Sequence, residues 1–323
     1  MKALCAFSGG LDSLLASVLV RAQGVDVLAI FFETPFFSSA RARISAAAVN
    51  LPIKIVDITH RHLSMLQDPK HGFGGHTNPC IDCHALTIRI TGEMLQEEGA
   101  SFVITGEVVG QRPMSQNIKA LSMVECESGL QGLLLRPLSA KRLQPTIPEK
   151  RGWIDREKMM GFSGRSRKPQ MELAERLHIE EYPSPAGGCL LTDEVFSRRL
   201  KDLLSARPDF ELREIELLKV GRHFRFGPNT KLVVGRNKKE NQTIHTLWKE
   251  SDLLLSTISV PGPTVLVSGD VSPELADLAA SMTVSYSDAK NDELTEISLK
   301  GQGMGEERMA KGRDKGEFRD YMI

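Results

Sequence analysis

The chain has 323 residues, 41% hydrophobic and 25% charged, enough for about two domains of roughly 150 residues with buried cores, which excludes wholesale disorder. Lys plus Arg (41) equals Asp plus Glu (41), so a nucleic-acid site has to be a local basic patch and net charge selects no partner. No apolar run approaches the roughly 20 residues of a membrane span, and Met1 to Phe7 meets a Ser-Gly-Gly turn too soon for a signal peptide, so a soluble, cytoplasmic protein is expected.

In chain order, Ala3 to Phe7 reads as a strand, Ser8-Gly9-Gly10 as a turn, and Leu11 to Gln23 as a helix with Leu14, Leu15, Val18 and Leu19 at helical spacing and Gly24 as a stop. Val25 to Phe32 predicts a second strand, Ser39 to Val49 a helix, and Ile53 to Ile58 a third strand. A Gly/His/Pro-rich loop, His71 to Pro79, leads into a helical pattern from Cys83 to Glu98; Phe102 to Thr105 and Gly129 to Pro137 suggest further strands. This alternation implies a doubly wound, mostly parallel α/β sheet with helices on both faces. From Arg136 to Gln170 Lys and Arg number ten against three acids, the most basic stretch of the chain. An amphipathic helix follows from Asp193 to Ala206, and Pro208 to Leu217 reads as an interdomain boundary. Beyond it, strands are expected at Val220 to Phe226, Lys231 to Val234, Leu253 to Ile258 and Thr264 to Val267, with helices at Lys238 to Trp248 and Ser272 to Ser281. That pattern suits a smaller α/β or α+β C-terminal domain. The boundaries expected are 1–207, 208–299 and a charged, Gly-rich, disordered tail at 300–323.

Ser8-Gly9-Gly10-Leu11-Asp12-Ser13 lies between the first strand and the first helix, where backbone N–H groups and the helix dipole favour an anion. The glycines let the backbone approach phosphate oxygens, and Ser8 and Ser13 add hydroxyls. No Gly-Lys-Ser/Thr is present, so this is no Walker A loop. Ser-Gly-Gly-x-Asp-Ser after a first strand resembles the signature of the PP-loop (N-type) ATP pyrophosphatases, of the adenine nucleotide alpha hydrolase-like fold. A second segment, Thr105-Gly106-Glu107-Val108-Val109-Gly110-Gln111-Arg112-Pro113-Met114-Ser115-Gln116, looks like the Thr-Gly-Glu…Gly-Gln…Ser-Gln stretch of the tRNA 4-thiouridine synthetases, and the likeness continues through Leu135-Arg136-Pro137-Leu138. The resemblance implies an ATP-dependent tRNA sulfurtransferase that adenylylates a uridine carbonyl oxygen and replaces it with sulfur, giving 4-thiouridine or 2-thiouridine. ATP would then sit on Ser8, Gly9, Gly10, Asp12, Ser13, Gly106 and Gln111. Asp12 can serve Mg²⁺ or the pyrophosphate; an acid in a first helical turn also simply suits the dipole.

Five cysteines do not make a disulfide scaffold in a chain this long, and a cytosolic Cys-x-x-Cys points to metal or redox chemistry. Cys80 and Cys83 lie in Asn78-Pro79-Cys80-Ile81-Asp82-Cys83-His84, and Cys189 follows Pro185-Ala186-Gly187-Gly188. Cys5 and Cys126 read as inert packing residues. Four readings stand for the other three: c-type haem, which wants an exported chain; structural zinc with His76 or His84 as fourth ligand; a persulfide or disulfide pair; and a [4Fe–4S] cluster on three thiolates. Resemblance supports the last, since a subset of PP-loop tRNA thiolases carries a three-cysteine cluster with one open iron. Cys80, Cys83 and Cys189 are then both ligands and part of the catalytic set with Asp12.

Arg165, Arg167 and Lys168 in the basic stretch are the first candidates for tRNA phosphates. Val234-Gly235-Arg236-Asn237-Lys238-Lys239-Glu240-Asn241 resembles the Gly-Arg-Asn…Glu-Asn signature of the NFACT-R type RNA-binding domain, which implies RNA contacts by Arg236 and Lys238. The plain alternative is a turn with an Asn cap opening a basic helix. The N-terminal RNA-binding domains of classical 4-thiouridine synthetases have no counterpart in this sequence, which leaves substrate choice open. The partners expected are tRNA and a sulfur donor, either free sulfide or a cysteine desulfurase; a homodimer is allowed for, and no membrane. Two rivals remain: a PP-loop amide or lysidine-type ligase, and a non-catalytic RNA-binding quality-control factor.

Overall fold

The computed structural model describes residues 1–182, 189–207, 209–290 and 292–323, apart from the Met304 side chain. The Pro185-Ala186-Gly187-Gly188 stretch before Cys189 lies outside those residues, as does Pro208. Two compact units emerge, Met1–Leu191 and Thr192–Ile323. The division falls before the helix at 194–206, which the sequence pattern groups with the first domain.

In the first unit the order is β1 (Lys2–Ala6), α1 (Leu11–Arg21), β2 (Asp26–Glu33), α2 (Ala40–Ala48), β3 (Ile53–Asp57), α3 (Thr59–Gln67), α4 (Cys80–Glu93), β4 (Phe102–Thr105), α5 (Ile118–Ser128), β5 (Leu134–Leu135), α6 (Ile147–Lys150) and α7 (Lys168–Arg176). The strands form one parallel sheet in the order β3-β2-β1-β4-β5. Period-two alternation splits β1 between two apolar layers. Ala3 and Cys5 face a core with Leu11, Leu15 and Leu173, while Leu4 packs with Ile30, Ile90 and Met94 on the other side. The doubly wound α/β architecture expected from the alternation is therefore present. Strand order reverses between β1 and β4, and in such sheets ligands bind outside the carboxyl ends of the strands at that point. The Ser8–Gly10 turn follows β1 and the Thr105–Gln116 segment follows β4, so topology brings the two motifs together.

The second unit runs α8 (Glu194–Ala206), α9 (Leu212–Leu218), β6 (Arg222–Arg225), β7 (Lys231–Val234), α10 (Lys238–Leu247), β8 (Leu253–Thr257), β9 (Thr264–Ser268), α11 (Pro273–Ser285), β10 (Thr295–Gly301) and β11 (Met304–Ala310). Its sheet is antiparallel, in the order β11-β10-β8-β9-β7-β6, an α+β arrangement. Ala276, Ala279, Ala280 and Met282 of α11 cover one face, and Leu217 and Ile244 cover the other. The expected disordered tail is corrected here. Residues 304–310 pair with β10 in a hairpin, and the turn Lys315–Tyr321 buries Phe318 and stacks Tyr321 on Phe226 with ring centroids 4.5 Å apart. Glu306, Glu307 and Arg308 stand together on this strand, which lies at the edge of the sheet, and composition alone does not distinguish such a charged edge strand from a solvated tail.

Candidate nucleotide and cysteine site

The turn after β1 is built on glycine for two reasons. Gly9 has φ +75°, and a Cβ there would come within 2.7 Å of the Ala42 Cα, so neither the conformation nor the space admits a side chain. Gly10 then caps α1 in an extended conformation and offers no side chain to the first N–H groups of the helix, which stay available to an anion. The two expected hydroxyls bracket the turn: Ser8 Oγ lies 3.2 Å from Ser13 Oγ, which donates to the Gly10 carbonyl at 2.9 Å.

The loop after β4 closes onto this turn. Gly106 sits so tightly against the start of α1 that a Cβ would fall 2.3 Å from the Ser13 nitrogen. Gln111 Nε2 donates to Asp12 Oδ2 at 2.8 Å, while Asp12 Oδ1 is buried with no partner. Glu107, on the same loop, is buried and accepts from Thr105 Oγ1 at 3.1 Å and from Arg136 Nε at 2.9 Å, with His84 Nδ1 at 3.0 Å from its other oxygen. Burial alone would raise the Glu107 carboxyl, but Arg136 and His84 outweigh it and hold it at about 2.

Cys80 opens α4 behind Pro79 and accepts from Asn78 Nδ2 at 3.2 Å; Cys83, one turn on, lies 3.6 Å from His62 Nε2. Burial and then the neighbouring Cys189 and Cys80 thiols push Cys83 far above the ordinary thiol range. Cys189 rises to about 11 through burial, with the Leu191 N–H and the Arg112 guanidinium pulling down and Cys80 pushing up. The fold thus brings the two distant cysteine segments within electrostatic reach of each other. Three soft donors within electrostatic reach of one another suit a thiophilic metal or a cluster, whose binding would offset the cost of ionising buried thiols. Among the described residues no three His, Cys, Asp or Glu side chains already stand in metal-holding geometry. Among the described residues neither expected fourth zinc ligand joins the thiols in such a group, and the His84 ring is turned to Glu107 instead. Cys5 is fully buried, and its thiol is pushed up to about 12. Cys126, expected to be buried packing, is instead exposed on α5 because it falls on the solvent face of that helix.

The basic stretch is less free than its charge count suggests. Arg136 is a core residue paired with Glu107 and Glu125, Arg156 pairs with Glu149, and Lys141 pairs with Glu157. Arg165 and Lys168 are exposed, and Arg167 precedes α7 with its Nε buried and unpartnered. In the second unit, Asn237 caps α10 by accepting from the Glu240 N–H, and the Arg236 guanidinium is tied to the Glu240 carboxylate at 2.6 to 3.1 Å. Lys238 is exposed at the start of α10. Sequence reasoning missed the roles of His84, Arg112 and Gln170. The first two stand in or beside quoted motifs, but Gln170 Nε2, which donates to Gln111 Oε1 at 3.0 Å, leaves no signal in the sequence.

Residues 1–142 match the family model described as thiamine biosynthesis protein (ThiI), and residues 221–322 match the NFACT protein RNA binding domain. Among curated proteins, the tRNA-specific 2-thiouridylase MnmA of Karelsulcia muelleri (strain GWSS) is 28% identical over 131 residues, covering 36% of this chain and 34% of that protein. The "Probable tRNA sulfurtransferase" of Thermoanaerobacter sp. (strain X514) is 27% identical over 146 residues, covering 42% and 36%. The chain therefore spans about a third of the length of the curated relatives it matches. A solved structure, a predicted subunit of tRNA methyltransferase from Methanocaldococcus jannaschii, overlaps 54% of this chain and 74% of its own at 17% identity, with a TM-score of 0.36 that is too low to argue from. The chain thus carries a ThiI-like domain over residues 1–142 and an NFACT-like RNA-binding domain over residues 221–322.

Proposed function

We propose that the chain is an ATP-dependent tRNA sulfurtransferase acting on a uridine carbonyl, with 4-thiouridine ahead of 2-thiouridine. The observation that carries this reading is the double engagement of the loop after β4. Gln111 binds Asp12 of the phosphate loop, the next residue, Arg112, lies within electrostatic reach of Cys189, and Glu107 pairs with His84, the neighbour of Cys83 in the chain. ATP chemistry and thiol chemistry thus share one wall. An amide or lysidine-type ligase has no use for the cysteines, and a non-catalytic RNA-binding factor has none for an Asp12 with one oxygen buried and unpaired.

Replacing a carbonyl oxygen with sulfur needs a better leaving group than oxide. The uridine oxygen attacks the α-phosphorus of ATP, the bond to the pyrophosphate oxygen breaks, and AMP is joined to the base. Hydrosulfide then attacks that carbon and AMP departs. Ser8, Gly9, Gly10 and Ser13 would hold the β and γ phosphates at the N-terminus of α1, with Gly106 buttressing the turn and Asp12 holding Mg²⁺ through its unpaired oxygen. Cys80, Cys83 and Cys189 would hold a [4Fe–4S] cluster, which when bound supplies an open iron to carry sulfide; zinc is the alternative. Arg165, Arg167 and Lys168 would take tRNA phosphates, Arg236 and Lys238 of the second unit would add a further RNA handle, and sulfide or a cysteine desulfurase would supply sulfur.

The test is an anaerobic assay with tRNA, ATP and sulfide that follows pyrophosphate and tRNA-bound sulfur together, with iron and acid-labile sulfide measured per chain. Wild type should yield both products, and Cys83→Ala should lose tRNA-bound sulfur and the iron. Pyrophosphate without any cysteine dependence would move the chain to the ligases, and no pyrophosphate at all would remove the enzyme.

A further inference from the structure

We infer that Gln170 is the positioning residue for Asp12, acting through Gln111, and that this relay ties the ATP site to the basic segment in front of α7. The inference rests on the reading of Asp12 as an ATP-site carboxylate.

The chain of hydrogen bonds has a direction. An ionised carboxylate only accepts, so Gln111 has to turn its amide NH₂ toward Asp12 Oδ2, at 2.8 Å. Its Oε1 then faces the opposite way and needs a donor, which Gln170 Nε2 provides at 3.0 Å. Gln170 is completely buried, and its own Oε1 is left with no partner. Leaving a buried amide oxygen unpaired is unfavourable, and rotating Gln170 would pair nothing at Gln111. The arrangement is therefore held by the bond to Gln111, and the Gln111 orientation fixes one oxygen of Asp12 while the other stays open.

Gln170 stands in the first turn of α7, a helix that packs on α1 and whose first residue is Lys168. The segment before it is fastened to the same loop that carries Gln111. Ser163 bridges Val109, the Gly164 N–H donates to the Val109 carbonyl at 2.8 Å, and Gly110 and Gly164 both use positive φ where the two strands of chain meet. Arg165, Arg167 and Lys168 thus stand on a segment zipped to the ATP loop on one side and continuous with Gln170 on the other. A polyanion that settles on those cations therefore bears on the element that orients Asp12.

The experiment uses the full chain with tRNA and ATP. Gln170→Met keeps the side-chain volume and removes the amide. The expected result is a fall of at least 10-fold in kcat for tRNA-dependent pyrophosphate release, with the ATP KM within about twofold of wild type. Gln111→Met should show a similar loss, and the double variant should be no worse than Gln111→Met alone, because Gln170 works only through that residue. Independent, multiplying losses, or wild-type kcat in Gln170→Met, would overturn the relay. A folding defect would show as lowered thermal stability and a KM change in parallel. If wild type itself releases no pyrophosphate with tRNA, the proposed function fails, a different result from an active wild type with an equally active Gln170→Met.

Discussion

Gln111 Nε2 reaches Asp12 Oδ2 at 2.8 Å, joining residues 99 positions apart that leave neighbouring strands at the point where the sheet order reverses. Only one Asp12 oxygen is used, and the other is buried without a partner. Asp12→Asn keeps the shape and removes the charge. It should lower tRNA-dependent pyrophosphate release by about 100-fold or more, the scale of removing one preorganised electrostatic group. The ThiI-domain fold should survive, as read by an unchanged circular dichroism spectrum. Retained activity in Asp12→Asn would remove the carboxylate from the mechanism.

Gly106→Ala tests the packing between the two loops. The added methyl would lie 2.3 Å from the Ser13 nitrogen and 2.5 Å from the Asp12 carbonyl carbon, both backbone atoms that cannot rotate away. Stability should fall by about 1–3 kcal/mol, as for other overpacked positions. ATP affinity should fall beyond that because the phosphate loop is displaced. Equilibrium urea unfolding and nucleotide titration read the two effects separately.

Much of this site was legible because it is local. Ser8 to Ser13 carries its own turn chemistry, and the period of Leu14, Leu15, Val18 and Leu19 marks α1 without any tertiary knowledge. Helices α3 and α5 and the hairpin β10–β11 went unread for opposite reasons. The first two are short or mix polar residues into the apolar face, and the hairpin's second strand places Glu306, Glu307 and Arg308 in a row with few large apolar residues. Arg136 shows the limit of charge counting: it adds to the basic stretch in sequence but sits in the core between two carboxylates. Long-range pairs such as Gln111 with Gln170 depend on how α7 crosses the sheet, which no window of sequence encodes.

Glu107 predicts an acid limit. Its folded pKa of about 2 lies below its ordinary value of 4.5, so the stability it contributes is fully present above pH 4.5 and is lost as pH falls from 4.5 toward 2. The difference corresponds to about 3 kcal/mol at most. Glu107→Gln removes this component but leaves Arg136 buried with Glu125 as its remaining carboxylate, so the variant should be destabilised at neutral pH and show a flatter acid limb. Urea midpoints between pH 3 and pH 7 decide it. An acid limb as steep as wild type would place the lost stability elsewhere.

Arg165, Arg167 and Lys168 changed together to Ala should weaken tRNA binding and reduce the slope of log K against log salt by about 2 to 3, roughly one unit for each phosphate no longer neutralised. Arg236→Ala should behave differently. Its guanidinium is already engaged by Glu240, which also accepts from the Gly221 N–H, so the loss should show first as lower stability of the second unit. Filter binding across a salt series distinguishes the two. An unchanged slope in the triple variant would make the segment a solvated face.

His223 predicts the pH response of the second unit. Its Nε2 lies 2.8 Å from the Val220 carbonyl, and its ring is wholly buried with Nδ1 unpaired. Burial first, and then the Lys231 and Arg199 charges, hold its pKa well below 6.5, so it is neutral in the folded unit at neutral pH. The unfolded chain takes up a proton below about pH 6.5 that the folded unit refuses. Stability is therefore complete above that value and declines as pH falls, by up to about 1.4 kcal/mol per pH unit for one proton. With Trp153→Phe leaving Trp248 as the reporter, urea titrations of the full chain at pH 7.5, 6.0 and 5.0 should show this decline, and adding His223→Gln should flatten it. A pH dependence that persists in the His223→Gln variant would assign the response to another group.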